Sequence, residues 1–148
     1  MSTVYIHYGA THYDKSIMKE IRNHPFLTKP IGGLWASPED ISFGWKVQCS
    51  REACIEDCCN NFFRFKLTER ANIIKILSAN DLATLPLQNR ADLPKGPWVY
   101  LDFERLVADG VDAIEVVMSN DWGGLHFALY GWDRDSIVVL NPDVIVQI

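Results

Sequence analysis

The sequence predicts a single α+β domain spanning residues 1–148. Three observations predict it. A chain of 148 residues suits one domain with a sizeable core and is short for two. A content of 48% hydrophobic and 22% charged residues is that of an ordinary globular protein. The apolar pattern also changes along the chain. One strand and two helix-like segments come first, and mostly strand-like segments follow, which is not the alternation of a regular βαβ fold.

The elements follow in order. Val4 to Tyr8 are β-prone and read as a first strand, ended by Gly9. Asp14 suits the cap of a helix running to about Arg22, with Ile17, Met18 and Ile21 on its apolar side, and His24-Pro25 stops it. Phe26 to Ile31 reads as loop leading into Gly32-Gly33-Leu34-Trp35-Ala36-Ser37. Ser37 followed by Pro38 and two acids resembles a helix start, and that helix is expected to run through the cysteines to Asn60-Asn61. Phe63, Phe65 and Leu67 alternate with Arg64 and Lys66 as in a half-buried strand, and Asn72 to Leu77 is a second apolar run. Asp81 to Pro97 reads as a surface loop around a helical turn, and Asp102 to Ala108 as a short helix stopped by Gly110. Val111–Val117, Leu125–Tyr130, Ser136–Leu140 and Val144–Ile148 are the remaining strand candidates.

A net charge of −5 argues against a general nucleic-acid binder, which usually presents a basic surface. Lys15, Lys19, Arg22, His24 and Lys29 do cluster, and they read as the solvated face of a helix before they read as a groove for an acidic ligand. No apolar run is long enough to span a bilayer, and the N-terminus lacks the pattern of a signal peptide, so a reducing cytoplasm is expected. Cys49, Cys54, Cys58 and Cys59 lack paired C-x-x-C spacing and a nearby histidine. They read as free thiols packed like small hydrophobes before metal ligands or reactive groups, so no metal is expected.

Three segments combine unusual residues with strand ends. In Ile6-His7-Tyr8-Gly9-Ala10 a histidine precedes a glycine, beside which a ligand can approach the backbone. In Lys29 to Ser37 two glycines precede Trp35, a large flat ring. In Tyr130 to Pro142 the acids Asp133 and Asp135 lie two residues apart at a strand entrance, as an acid pair or as a turn with Arg134 as partner.

Together these segments resemble the ADP-ribosyltransferase superfamily of diphtheria-type toxins and poly-ADP-ribose polymerases. His7-Tyr8-Gly9 resembles its first-strand histidine-glycine motif, Gly33-Leu34-Trp35-Ala36-Ser37 its aromatic-bearing strand, and Asp135-Ser136-Ile137-Val138-Val139 its late strand opened by the catalytic acid. The chain is similar to small bacterial and phage transferases, an anti-CRISPR type among them. The resemblance implies split mixed and antiparallel sheets with helices inserted after the first strands, and NAD+ as substrate. It implies that His7 meets the adenosine ribose, Gly9 the nicotinamide amide, and that Trp35 and Trp45 sandwich the nicotinamide, with Ser37 in support. It further implies Asp135 as the acid at the nicotinamide ribose, with Asp133 beside it. Tyr8 stands between His7 and Gly9, so either His7 or Tyr8 faces the cofactor, and Glu115 and Asp121 remain other candidates for the acid.

The expected function is transfer of ADP-ribose to a macromolecular target, most simply a protein, with release of nicotinamide. Membrane partners are not expected. Alternatives are transfer to water or a nucleic-acid base, or an inactive interaction module using aromatics such as Trp98, Trp122 or Trp132. A Cys49 or Cys54 hydrolase with His126 is a further possibility.

Overall fold

The computed structural model describes residues 2–40, 61–132 and 134–148. The strands are β1 (Tyr5–Tyr8), β2 (Arg22–Asn23), β3 (Pro30–Ile31), β4 (Leu34–Pro38), β5 (Phe62–Leu67), β6 (Ile73–Ile76), β7 (Ala113–Val116), β8 (Ser136–Val139) and β9 (Ile145–Gln147). Two α-helices, α1 (Phe103–Ala108) and α2 (Trp122–Ala128), lie among the described residues. The main sheet has the order β6-β7-β8-β4-β1-β5-β9, and β2 pairs with β3 separately. β6 and β7 run parallel, and the other neighbours run antiparallel. The architecture is mixed α+β.

Side-chain alternation along the strands builds two apolar clusters, one on each face. Ile114, Val116 and Val138 point toward α1 and α2 and bury Phe103, Leu106, Leu125, Leu129 and Trp132. Tyr5, Leu34, Ala36, Phe65, Ile137 and Val139 form the other cluster, against which Tyr13 and Met18 pack.

Several segments depart from their expected form. Asp14 does cap, accepting from the Ser16 amide, but the helix is a single 3₁₀ turn, Lys15–Ile17. The chain beyond it forms β2, which pairs with β3 where a loop is expected. Ser37-Pro38 ends β4 and does not begin a helix. The residues after Asp40, including the four cysteines and Trp45, lie outside the described residues up to Asn61. Leu125 to Tyr130 is expected as a strand but belongs largely to α2. Leu125, Ala128 and Leu129 are buried at helical spacing, while Phe127 and Tyr130 are exposed. Asp121 starts that helix by accepting from the Gly124 amide at 3.3 Å. Asp102 likewise caps α1 as expected, accepting from the Arg105 amide at 3.1 Å.

Gly32 turns the chain into β4 at a φ of +86°, where a Cβ would lie 2.5 Å from the carbonyl oxygens of Lys19 and Glu20. Both neighbours are backbone and cannot swing aside. Gly32→Ala is expected to cost about 2–3 kcal/mol, combining left-handed strain with the clash. Gly110, at φ +85°, has open space around it, so Gly110→Ala should cost only about 1 kcal/mol from strain alone. Urea unfolding midpoints of the two variants measure the difference; equal losses would contradict the backbone contact.

Candidate functional site

The sheet brings the three segments together. β8, β4 and β1 are consecutive, with Trp35 opposite Val138 and Ala36 opposite Ile137 on one side of β4, and Ile6 opposite Ser37 on the other. Pairing of β1 with β4 covers only Tyr5↔Pro38 and Ile6↔Ser37, whereas β1 stays paired with β5 through Tyr8↔Phe62. Beyond Ile6 a gap therefore opens between β1 and β4. Gly9 and Trp35 lie on its two sides.

Alternation from the Ile6↔Ser37 pair puts Tyr8, Trp35 and Ser37 on one face and His7 on the other. Of the two residues left open by the sequence, Tyr8 shares the Trp35 face, with its ring 6.0 Å from that of Phe62. His7 packs 5.1 Å from the Phe63 ring and bridges the gap through Nδ1, which lies 2.6 Å from the Trp35 carbonyl oxygen. A carbonyl only accepts, so Nδ1 carries the proton and Nε2 of the neutral ring is an acceptor. Burial pushes the His7 pKa below the ordinary histidine value and so favours the neutral ring, an effect partly offset by that hydrogen bond. Nε2 faces Gly9, 4.0 Å from where a Cβ would stand.

The glycines divide in role. Gly9 is exposed at φ +115°, and its N–H already donates to the Asn61 carbonyl at 2.7 Å, so a ligand amide would meet its carbonyl. Gly33 is expected as a cofactor-approach glycine, but a Cβ there would strike Val138 Cγ2 at 2.9 Å and the Val139 carbonyl at 3.0 Å. Its bareness lets β4 seat against β8.

The Trp35 ring is half-buried. It meets the buried Trp132 ring edge-on, 4.7 Å between centroids, and the Lys29 ammonium lies 5.7 Å from its own centroid. Lys29 is thus not on a solvated helix face, because it lies in a bend that leads directly into β3. Its anchorage is firm. Thr28 is buried, donates from Oγ1 to the Tyr130 carbonyl at 2.7 Å, and accepts from Trp132 Nε1 at 3.4 Å. Lys29 and Trp132 fall within the segments singled out by sequence, but the bonds of Thr28 to Tyr130 and Trp132 span 102 and 104 positions.

The acids are held differently. Asp135 is 1% exposed. Its Oδ1 accepts from the Ser119 amide at 2.7 Å and its Oδ2 from the Ser119 hydroxyl at 2.6 Å, tying the mouth of β8 to the turn after β7. Ser37, beside Trp35 on β4, is equally buried. Glu115 is buried on β7, accepts from the Tyr5 hydroxyl at 2.5 Å and lies 3.4 Å from the Lys75 ammonium. Burial and that carboxylate push the Tyr5 hydroxyl well above the usual tyrosine range. Asp121 is spent on structure, accepting from the Ala79 and Gly124 amides. Asp133 and Trp45 lie outside the described residues, as do Cys49 and Cys54. His126 stacks on Trp122 at 4.3 Å. Among the described residues no His, Cys, Asp and Glu group could hold a metal ion, and no helix is long and apolar enough to cross a membrane.

No family model, curated protein or solved structure matches the chain.

Proposed function

We propose that the protein transfers ADP-ribose from NAD+ to a protein target, releasing nicotinamide. The observation that carries this reading is the adjacency of β8, β4 and β1. Trp35 and His7 border the gap beyond Ile6, and Asp135 immediately precedes β8, toward the Pro38 end of β4. In this reading Trp35 supports the nicotinamide, His7 Nε2 accepts from a ribose hydroxyl, and the Gly9 carbonyl meets the nicotinamide amide. Asp135 is the acid assigned to the nicotinamide ribose, and its Ser119 bonds would have to loosen for it to reach there. Tyr8 and Ser37 line the Trp35 face.

The bond between the nicotinamide nitrogen and the ribose carbon breaks with its electron pair leaving on nicotinamide. Positive charge develops on the ribose, and a fixed carboxylate stabilises it without reorganising. The acceptor's nucleophile then bonds that carbon and gives up its proton. Transfer of label from NAD+ to a discrete protein in a cell lysate tests the proposal, and a lysate left unlabelled by folded protein contradicts it.

The His7 assignment predicts a pH dependence. Its folded pKa is depressed, so below about pH 6.5 the unfolded chain takes up the proton first and stability falls with pH toward the depressed value. Protonation would also place a hydrogen on Nε2 and remove the acceptor. In His7→Gln the loss of stability between about pH 7 and pH 5 should shrink, as thermal unfolding at the two pH values measures. An unchanged loss would show that His7 does not contribute it.

A second reading is favoured by a separate observation. Asp135 is nearly inaccessible with both oxygens engaged, while Trp122, Phe127 and Tyr130 are 43%, 59% and 60% exposed. An interaction module on this sheet would use such aromatics. A protein that co-purifies without becoming modified distinguishes it.

A further inference from the structure

We infer that the cleft walled by Phe26, Trp98, Tyr100 and Tyr130 binds an extended, proline-rich segment of a partner protein, with an acidic residue beside the prolines. None of these four residues is assigned to NAD+, so the site stands or falls apart from that reading.

The walls are set in advance. Three stretches of chain meet here, around Phe26, around Trp98 and at Tyr130, and they enclose about 180 Å³. His24 Nδ1 accepts from the Phe26 and Leu27 amides at 3.1 and 3.0 Å, and the Arg90 guanidinium donates to the Pro25 carbonyl at 2.8 Å. The Val99 amide donates to the Ala128 carbonyl at 2.8 Å, which ties the second stretch to the end of α2. The Thr28 bond to the Tyr130 carbonyl joins the first stretch to the third. The benzene edge of Trp98 seats on Gly96, where a Cβ would lie 2.5 Å from Cζ3. A ligand therefore meets surfaces that need little further ordering.

The groups left open on these walls define the ligand. Phe26 and Tyr130 are 59% and 60% exposed, and the four rings stand apart, with no ring contact between any two of them. Neither the Trp98 indole N–H nor the Tyr130 hydroxyl hydrogen-bonds to another described residue. No charged side chain lines the cleft, while Lys95, next to Pro94 in its wall, has no ion-pair partner among the described residues. The complement is a set of flat apolar rings, backbone carbonyls able to accept, and a carboxylate at one end.

A polyproline II segment has all three when an acid flanks it. It makes no internal hydrogen bonds, so its carbonyls can accept from Trp98 and Tyr130, and its pyrrolidine rings lie against aromatic faces. An amphipathic helix engages its carbonyls in its own ladder. A methylated ammonium brings no acceptor for the two donors and meets no carboxylate here. The cleft is also smaller than the roughly 300–1,000 Å³ of pockets that enclose a small molecule. Lys95 favours a carboxylate beside the prolines and disfavours a cation there.

Calorimetric titration of the full chain with a decaproline peptide flanked by glutamates tests this. A lysine-flanked decaproline and a glutamate-flanked glycine-serine peptide of equal length serve as comparisons. The glutamate-flanked proline peptide should bind most tightly, and the glycine-serine peptide should give no measurable heat. Trp98→Phe, which removes the indole N–H, should weaken binding about tenfold or more. Gly96→Ala should weaken it by pushing the Trp98 ring aside, and Lys95→Ala should erase the preference for glutamate flanks. Tyr130→Phe removes one exposed hydroxyl and should weaken binding several-fold, which keeps the test decisive if Trp98→Phe unfolds. A folded native protein that binds no proline peptide overturns the inference, as does equal binding by the native chain, Trp98→Phe and Tyr130→Phe. A native chain that self-associates in sedimentation, and no longer does so as Tyr130→Phe, would give the cleft to a second copy and overturn the peptide as its occupant.

Discussion

Asp135→Asn is expected to lower nicotinamide release from NAD+ by about 10²–10³-fold while leaving the fold intact. Asparagine keeps the shape of the side chain. Its carbonyl can still accept from the Ser119 amide, and its amide can donate to the Ser119 hydroxyl in place of the bond that hydroxyl now makes to Oδ2. What is lost is the negative charge, which matters only as positive charge develops on the ribose. The turnover number should therefore fall far more than the Michaelis constant changes. Asp135→Ala is the blunter variant, because it removes both bonds to Ser119 and should cost about 1–3 kcal/mol of stability besides. Steady-state kinetics beside thermal unfolding separates the two effects. An Asp135→Asn enzyme with full activity would remove Asp135 from the chemistry and return the choice to Asp133 or Glu115.

The second large effect concerns stability. Trp132 is fully buried, lies 4.7 Å from the Trp35 ring and 6.4 Å from that of Phe103, and donates to the Thr28 carbonyl. Trp132→Ala should cost about 3–5 kcal/mol, since it empties a large core volume and leaves the Thr28 carbonyl short of a partner. Thermal unfolding should drop by roughly 10 °C. The same change removes the wall that sets the Trp35 ring and the brace under Lys29. Trp132→Phe refills most of the space, so it should recover most of the stability. A Trp132→Ala variant as stable as the native chain would contradict the packing described for this face.

Much of the strand content was legible because alternation is a local signal. Phe63, Phe65 and Leu67 are buried on β5, and Arg64 is exposed, as their spacing requires. Asp102 and Gly110 mark the start and stop of α1 in the same local way. Helix α2 escaped because Leu125-His126-Phe127-Ala128-Leu129-Tyr130 is apolar and aromatic throughout. Two glycines at its start also hide the helical period. The segment around Lys15 escaped for the opposite reason: its helical spacing was real, but pairing of β2 with β3 claimed the chain after one turn.

The candidate site divides along the same line. His7, Trp35 and Asp135 carry residue types that stand out in sequence, and their strands prove to be neighbours. Their detailed settings depend on contacts that no motif records: the Trp35 carbonyl on His7, the Ser119 donors on Asp135, the Lys29 ammonium over Trp35. Gly33 stood out for the right residue type and a different reason, since the space it spares is filled by β8.

The most direct measurement is free nicotinamide released when the pure protein is incubated with NAD+, with and without lysate. The account predicts release that depends on Asp135 and rises when a protein acceptor is supplied. Release indifferent to lysate would make water the acceptor. No release under either condition, together with no heat of NAD+ binding, would contradict the account and leave the exposed aromatics as the working surface of a binding protein.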